Sequence, residues 1–187
     1  MANSTEPPPS SLTDSAEYAE NIYDAAYTSQ WKQAEAKAAD LKTSSGAYPS
    51  LVASLPDLET KIRQQDRLGT MSVSNEMTRQ AAELMRRYSV PTPVEVSLLD
   101  YEGRKIQTDA AANDEAALKR TAHEIRRRWD SVRPEVERHG GGSEAKAFES
   151  EVKKLEIASS VTESEKVAKS ILDQVDRLEN VFTRNPR

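Results

Sequence analysis

The groups able to do chemistry in this sequence are carboxylates, amines, guanidiniums and hydroxyls, because it holds no cysteine and only two histidines. Without a thiol, disulfides, thiolate zinc sites, iron–sulfur clusters and thiol nucleophiles are excluded together. A di-iron or dimanganese bundle site needs Glu-x-x-His on two helices. Here Arg120 and Val136 stand three residues before His123 and His139, so that motif is missing. Glu135 and His139 are one helical turn apart and offer two ligands, which makes a poor site. A histidine in the last turn of a helix is more simply explained by attraction to its negative end. Serines fall in linkers, caps and polar faces, with no Gly-x-Ser-x-Gly elbow and no phosphate loop. Gly140-Gly141-Gly142 reads as a flexible turn, since no Lys-Ser/Thr comes after it. The 31 acidic residues supply no pattern that singles out a glycosidase-type pair. The expectation is a protein without catalytic residues, metal or cofactor.

A net charge of -5 argues against a nucleic-acid binder, which gains affinity from basic residues on phosphates. One segment runs against that acidity. Between Leu118 and Arg138, Lys119, Arg120, Arg126, Arg127, Arg128, Arg133 and Arg138 outnumber Glu124, Asp130, Glu135 and Glu137. Arg120 and Arg127, seven apart on one helix face, are the candidate partner-binding residues, able to receive an acidic or phosphate group. The plainer reading pairs these arginines with acidic neighbours such as Glu149, Glu151 or Asp173. Trp31 and Trp129 lie on apolar stripes and read as core anchors.

The elements that must carry these groups are helical. A stripe of Tyr23, Tyr27, Trp31, Ala34, Ala38 and Leu41 predicts one long helix from Asp14 to about Lys42, closed by Ser44-Ser45-Gly46. Leu51, Leu55, Leu58 and Ile62 predict a second from Pro49 to Arg67, containing Pro56 and stopped by Gly69. Met77, Ala81, Leu84 and Tyr88 mark a third, from Ser72 to Tyr88. At Thr92-Pro93-Val94-Glu95 a capping box favours a helix start over a short strand. Gly103 weakens that helix and Asp109 or Asn113 re-caps it, so one helix or two stacked ones between Pro93 and Arg138 remain open. Two further helices carry Phe148, Val152, Leu155 and Ala158, then Val167, Ile171, Val175, Leu178 and Phe182, the last opened by a Thr162–Glu165 capping box. Residues 1–13, rich in Ser, Thr and Pro, read as a disordered spacer.

The fold expected is all-α: an up-and-down bundle of about six helices in one domain, residues 14–184. Trp31 corresponds to Trp129 and Leu58-Glu59 to Leu155-Glu156, which suggests two duplicated three-helix halves, 14–108 and 109–184. Unrelated helices of similar composition explain the same matches nearly as well. No apolar run approaches the roughly 20 residues that a membrane-spanning helix needs.

The runs Val90-Pro91-Thr92-Pro93-Val94-Glu95-Val96, Leu99-Asp100-Tyr101-Glu102-Gly103-Arg104 and Trp129-Asp130-Ser131-Val132-Arg133-Pro134 resemble uncharacterised helical lipoproteins exported by bacteria, as does the closing Leu172–Phe182 stretch. The resemblance covers about half the chain. It implies export to the periplasm or cell envelope and a lipid tether in the native precursor, with no activity and no functional residues to carry over. The lipid-bearing cysteine of such proteins is not in this sequence, and a cytoplasmic location is the alternative. The function expected first is a non-enzymatic, tethered interaction or assembly module with a protein partner. A small-ligand or metal-ion binder using a cleft between the halves comes second, and an adaptor working through Arg120 and Arg127 third.

Overall fold

A computed structural model describes residues 5–184, and these form eight α-helices and one short 3-10 turn, with no strand among them. The all-α expectation holds, with eight helices in place of about six. They are α1 (Ser10–Tyr27), α2 (Trp31–Ser44), α3 (Pro49–Arg63), α4 (Arg67–Met85), α5 (Val94–Ala111), α6 (Glu115–Arg138), α7 (Gly142–Ile157) and α8 (Val161–Arg184). The chain divides into two compact units, Met1–Val90 and Pro91–Arg187. The boundary therefore falls at residue 90 rather than 108, because α5 and α6 pack on each other within the second unit.

Each unit is a ring of four helices. In the first, α1 packs on α2 and α4, and α3 closes the ring against both; in the second, α5 packs on α6 and α8, and α7 closes it. The three-helix halves expected from the sequence are thus four-helix units, since each long stripe folds back on itself. The connections show how. After α1 the chain turns through Thr28, Ser29 and Gln30, with Ser29 in the left-handed region at φ 58°. Gln30 N–H donates to the Ala25 carbonyl (2.7 Å) and Ser29 N–H to that of Ala26 (3.0 Å), which is the Schellman pattern. Gln65 (φ 53°), Asn113 (φ 54°) and Gly140 (φ 84°) make the same turn after α3, α5 and α6. The next residue in each case is the N-cap of the next helix, so three residues reverse the chain and these consecutive helices run antiparallel. In two of these turns it is an aspartate that caps: Asp66 accepts from Gly69 N–H (2.9 Å) and Asp114 from Ala117 N–H (2.8 Å).

Several expectations are corrected by these turns. The predicted helix 14–42 is two helices, because a turn built on Ser29 leaves the spacing of the stripe undisturbed. Gly69 does not stop a helix but sits in the first turn of α4, where a Cβ would strike the Asp66 carboxylate. Neither Asp109 nor Asn113 re-caps the segment after Pro93; Asp114 does, and 93–138 is two antiparallel helices. Helix α5 begins at Val94 as favoured, but Thr92 makes no cap there, and Glu95 reaches Arg128 instead (3.2 Å). Helix α8 is capped two residues earlier than expected, by Ser160, whose hydroxyl accepts from Glu163 N–H (3.2 Å). The spacer is shorter than predicted. Residues 1–4 lie outside the described part, but α1 starts at Ser10 and buries Leu12 completely. The Ser-rich run folds because its hydroxyls find partners: Ser11 with the Tyr48 hydroxyl (2.9 Å) and Ser15 with Ser44 (2.8 Å). Ahead of it, the Glu6 carbonyl accepts from Ser89 N–H (2.8 Å), which fastens the beginning of the unit to its end.

The two units share a plan. Helices α1 and α5 are both 18 residues long, each comes after a proline, Pro9 and Pro93, and each ends in the same turn. Trp31 and Trp129 lie on the second helix of their units, and Leu58 and Leu155 on the third. Their levels differ: Trp31 opens α2, partly buried against Tyr23, Ala26 and Met71, whereas Trp129 lies deep in α6 and fully buried. The second core is built around Trp129 against Phe148, ring centroids 4.7 Å apart, with Ile125, Val132, Ile171, Val175, Leu178 and Phe182 around them. Gly103 lets α8 approach α5, since a Cβ there would stand 2.7 Å from Leu172 Cδ2.

An ordinary side chain in the left-handed region costs about 1–2 kcal/mol. Gln65→Gly should therefore raise the stability of the first unit, by about 0.5–1 kcal/mol after the added entropy of the unfolded glycine. A thermal melt that falls rather than rises would contradict a left-handed turn at this residue.

Candidate functional site

The arginines of α6 are the first candidates, and most of them are occupied. Arg126 reaches across to α7, donating from Nε and Nη2 to Glu156 (2.8 and 3.0 Å) and from Nη1 to Glu149 (3.0 Å). Arg128 turns the other way, to Glu102 (3.0 Å) and Glu95 (3.2 Å) on α5. Arg133 pairs with Glu137 (2.9 Å) and Glu149 (3.5 Å). These ion pairs tie α6 to both neighbouring helices, which a stripe of aliphatic contacts alone would leave free to slide. Of the two residues singled out from the sequence, Arg127 is 67% exposed and paired with Glu124 (2.6 Å) on its own helix. Arg120 is exposed and makes no ion pair among the described residues. No contact joins the two.

Glu149 is the hub of the α6–α7 contact. Its Oε2 accepts from the Trp129 indole N–H (2.8 Å) as well as from Arg126, and Lys153 lies 3.5 Å from Oε1. The Arg126 hydrogen bond, supported by that of Trp129, holds its carboxyl down at about 2. Trp129 thus has its body in the core and its one polar atom satisfied. Sequence reasoning names Glu149 as a partner for arginine but misses its bond to the indole, which becomes visible only when α6 and α7 are brought face to face.

Three other carboxyls move upward. Glu102, 3% exposed, is raised by burial despite its bond to Arg128. Glu179 on α8 is pushed up to about 7, first by burial and then by the charges of Asp100 and Asp176. Asp100 is itself taken by Arg104 (2.8 Å), and Asp176 is raised by burial and by Asp100 and Asp173. Among the described residues no group of three or more His, Asp or Glu side chains gathers as metal ligands. His139 follows the end of α6 with Nδ1 2.9 Å from the Glu135 carbonyl oxygen and its ring on Phe182 (4.8 Å). No helix among the described residues is long and apolar enough to cross a membrane.

What remains uncommitted is a cleft in the second unit. It has a volume of about 620 Å³ and lies where α6 begins, α7 ends and α8 begins. Leu118, Ala122, Leu155, Ala158 and Val161 give it an apolar floor; Glu115, Lys119 and His123 stand on the α6 side. Its serines are used by the start of α8. Ser159 donates from backbone and hydroxyl to Glu163 (2.8 and 3.0 Å), Ser160 accepts from Glu163, and Ser164 donates to the Ser160 carbonyl (3.1 Å). Of the three, Ser159 meets a carboxylate with its hydroxyl, and the same Glu163 oxygen also accepts from the Ser159 backbone N–H, which is the geometry of a helix cap. At the rim Ile157, the last residue of α7, is 81% exposed, against 40% for Val52 and 36% for Leu68, the other large apolar side chains exposed among the described residues. Sequence periodicity did not point to this place, because Ile157 falls between the buried Leu155 and a three-residue connection.

Compared with known protein families, with curated proteins and with solved structures, the chain matches none.

Two of these displaced carboxyls, Glu149 and Glu179, lead the pH dependence of the second unit's stability. Glu149 is held below its ordinary 4.5, so its contribution is present above that value and lost as pH falls toward about 2. Glu179 is raised, so its contribution is full below 4.5 and lost as pH rises through about 7. Stability should therefore fall on both sides of the mildly acidic range. Denaturant melts followed by Trp129 fluorescence in a Trp31→Phe background measure this. Glu179→Gln should reduce the fall between about pH 5 and 8, and an unchanged profile would refute the role given to Glu179.

Proposed function

We propose that this protein is a non-enzymatic interaction or assembly module, and that the cleft of its second unit receives an apolar side chain from a protein partner. The observation that carries the reading is the apolar floor beside Ile157, an isoleucine left 81% exposed in a unit that buries nearly all its other large apolar residues. Exposed apolar surface rimmed by polar groups marks binding sites. The commitment of the α6 arginines and of the cleft serines supports the same reading, since it leaves those groups no free chemistry. The setting we propose is the bacterial envelope, on the resemblance of Val90–Val96 and Leu172–Phe182 to exported lipoproteins; a gene that encodes a signal peptide and lipid-bearing cysteine ahead of Ala2 is the expected finding.

A photo-crosslinking residue at position 157, expressed in the producing cell, should give a discrete adduct, and one at position 52 should not. Equal or no labelling at the two positions would remove the cleft from the function. Because the chain has no native cysteine, a single cysteine at position 157 can carry a fluorophore for the same comparison in solution.

A further inference from the structure

Resting on that reading of the cleft, we infer that its occupant is a second copy of this chain, each copy placing Ile157 in the cleft of the other. The patch carries its own complement. A protruding apolar side chain, Ile157, stands beside an apolar hollow floored by Leu118, Ala122 and Val161. A two-fold axis requires one surface to hold both halves of every contact, and a knob beside a hole satisfies that.

The charges repeat the arrangement. Glu115 and Lys119 line the cleft four residues apart on α6, and neither makes an ion pair among the described residues. The other charged group on the lining, Glu156, is held by two bonds from Arg126 and is not free. An axis crossing α6 between Glu115 and Lys119 lays the starts of two α6 helices antiparallel. Each Lys119 then faces Glu115 of the second copy. A partner of one dominant charge would leave either Lys119 or Glu115 opposed by a like charge, whereas a second copy pairs both. One side chain set in one cleft per copy makes a contact smaller than a stable interface, which takes roughly 20–30 residues a side. The association is therefore weak and reversible.

Sedimentation velocity on the purified full chain, over about 1 μM to 1 mM, reads this directly. The expected result is a concentration-dependent shift from the 20.8 kDa monomer to a dimer. Ile157→Asp, at an exposed position, should keep its helicity by circular dichroism and remain monomeric; Ile157→Ser is the milder second variant. Lys119→Glu and Glu115→Lys should each weaken association about tenfold, and an equimolar mixture of the two should recover it, because only the mixed dimer pairs every charge. A single monomeric species at all concentrations overturns the proposal, as does a dimer that tolerates Ile157→Asp or a mixture no better than its components. The crosslink at position 157 separates the two claims. An adduct of foreign mass with a monomeric chain refutes the second copy and leaves the cleft as the binding site; no adduct and no dimer refute both.

Discussion

A helix with one apolar stripe has nothing to bury it against until the chain reverses, and every other property of this protein depends on how the reversal is made. Three of the four turns of the recurring type place an ordinary side chain, Ser29, Gln65 or Asn113, in the left-handed region. The strain is local and small, and the result is a three-residue connection that sets neighbouring stripes face to face. Once α5 and α6 are reversed at Asn113, and α6 and α7 at Gly140, Trp129 and Phe148 meet and the second core closes.

Closing the core also decides the fate of the charges. Helix α6 is the most basic part of an acidic chain, and packing turns two of its arginines toward opposite neighbours, Arg126 to α7 and Arg128 to α5. Each meets carboxylates whose own states packing shifts: Glu149 downward under Arg126 and Trp129, Glu102 upward because burial outweighs its bond to Arg128. Basic character that looks available for an acidic partner is largely used inside the unit. The apolar cleft beside Ile157 has no such internal use, which is why we propose the end of α7 rather than the arginine face as the place that meets a partner.

Some of this was legible in the residues and some was not. Spacing of three and four gave the helices their faces, and Phe148, Val152, Leu155, Ile171, Val175 and Leu178 all lie in the core as that spacing requires. Spacing could not show the break at Ser29, because Tyr27 and Trp31 continue the stripe across it. Gly69 misled for a physical reason: glycine ends many helices, but here it makes room for the Asp66 cap. The caps at Thr92 and Thr162 were plausible by pattern, yet tertiary contact drew Glu95 to Arg128, and Ser160 was the better placed hydroxyl at α8. Arg120 and Arg127 were found by spacing alone, and whether they bind anything is a property of a partner.

The sequence by itself determined that the chain is helical, which residues of each stripe face a core, and that it lacks the residues of the familiar metal and nucleophile motifs. Those facts depend on residue type and local periodicity, which act over a turn or two of helix. Only the tertiary structure decided that there are two four-helix units, that Glu149 serves both Arg126 and Trp129, and that an isoleucine stands exposed above an apolar cleft. Each of these depends on which side chains meet across helices far apart in the chain, and that is fixed by the turns and by packing rather than by any local pattern.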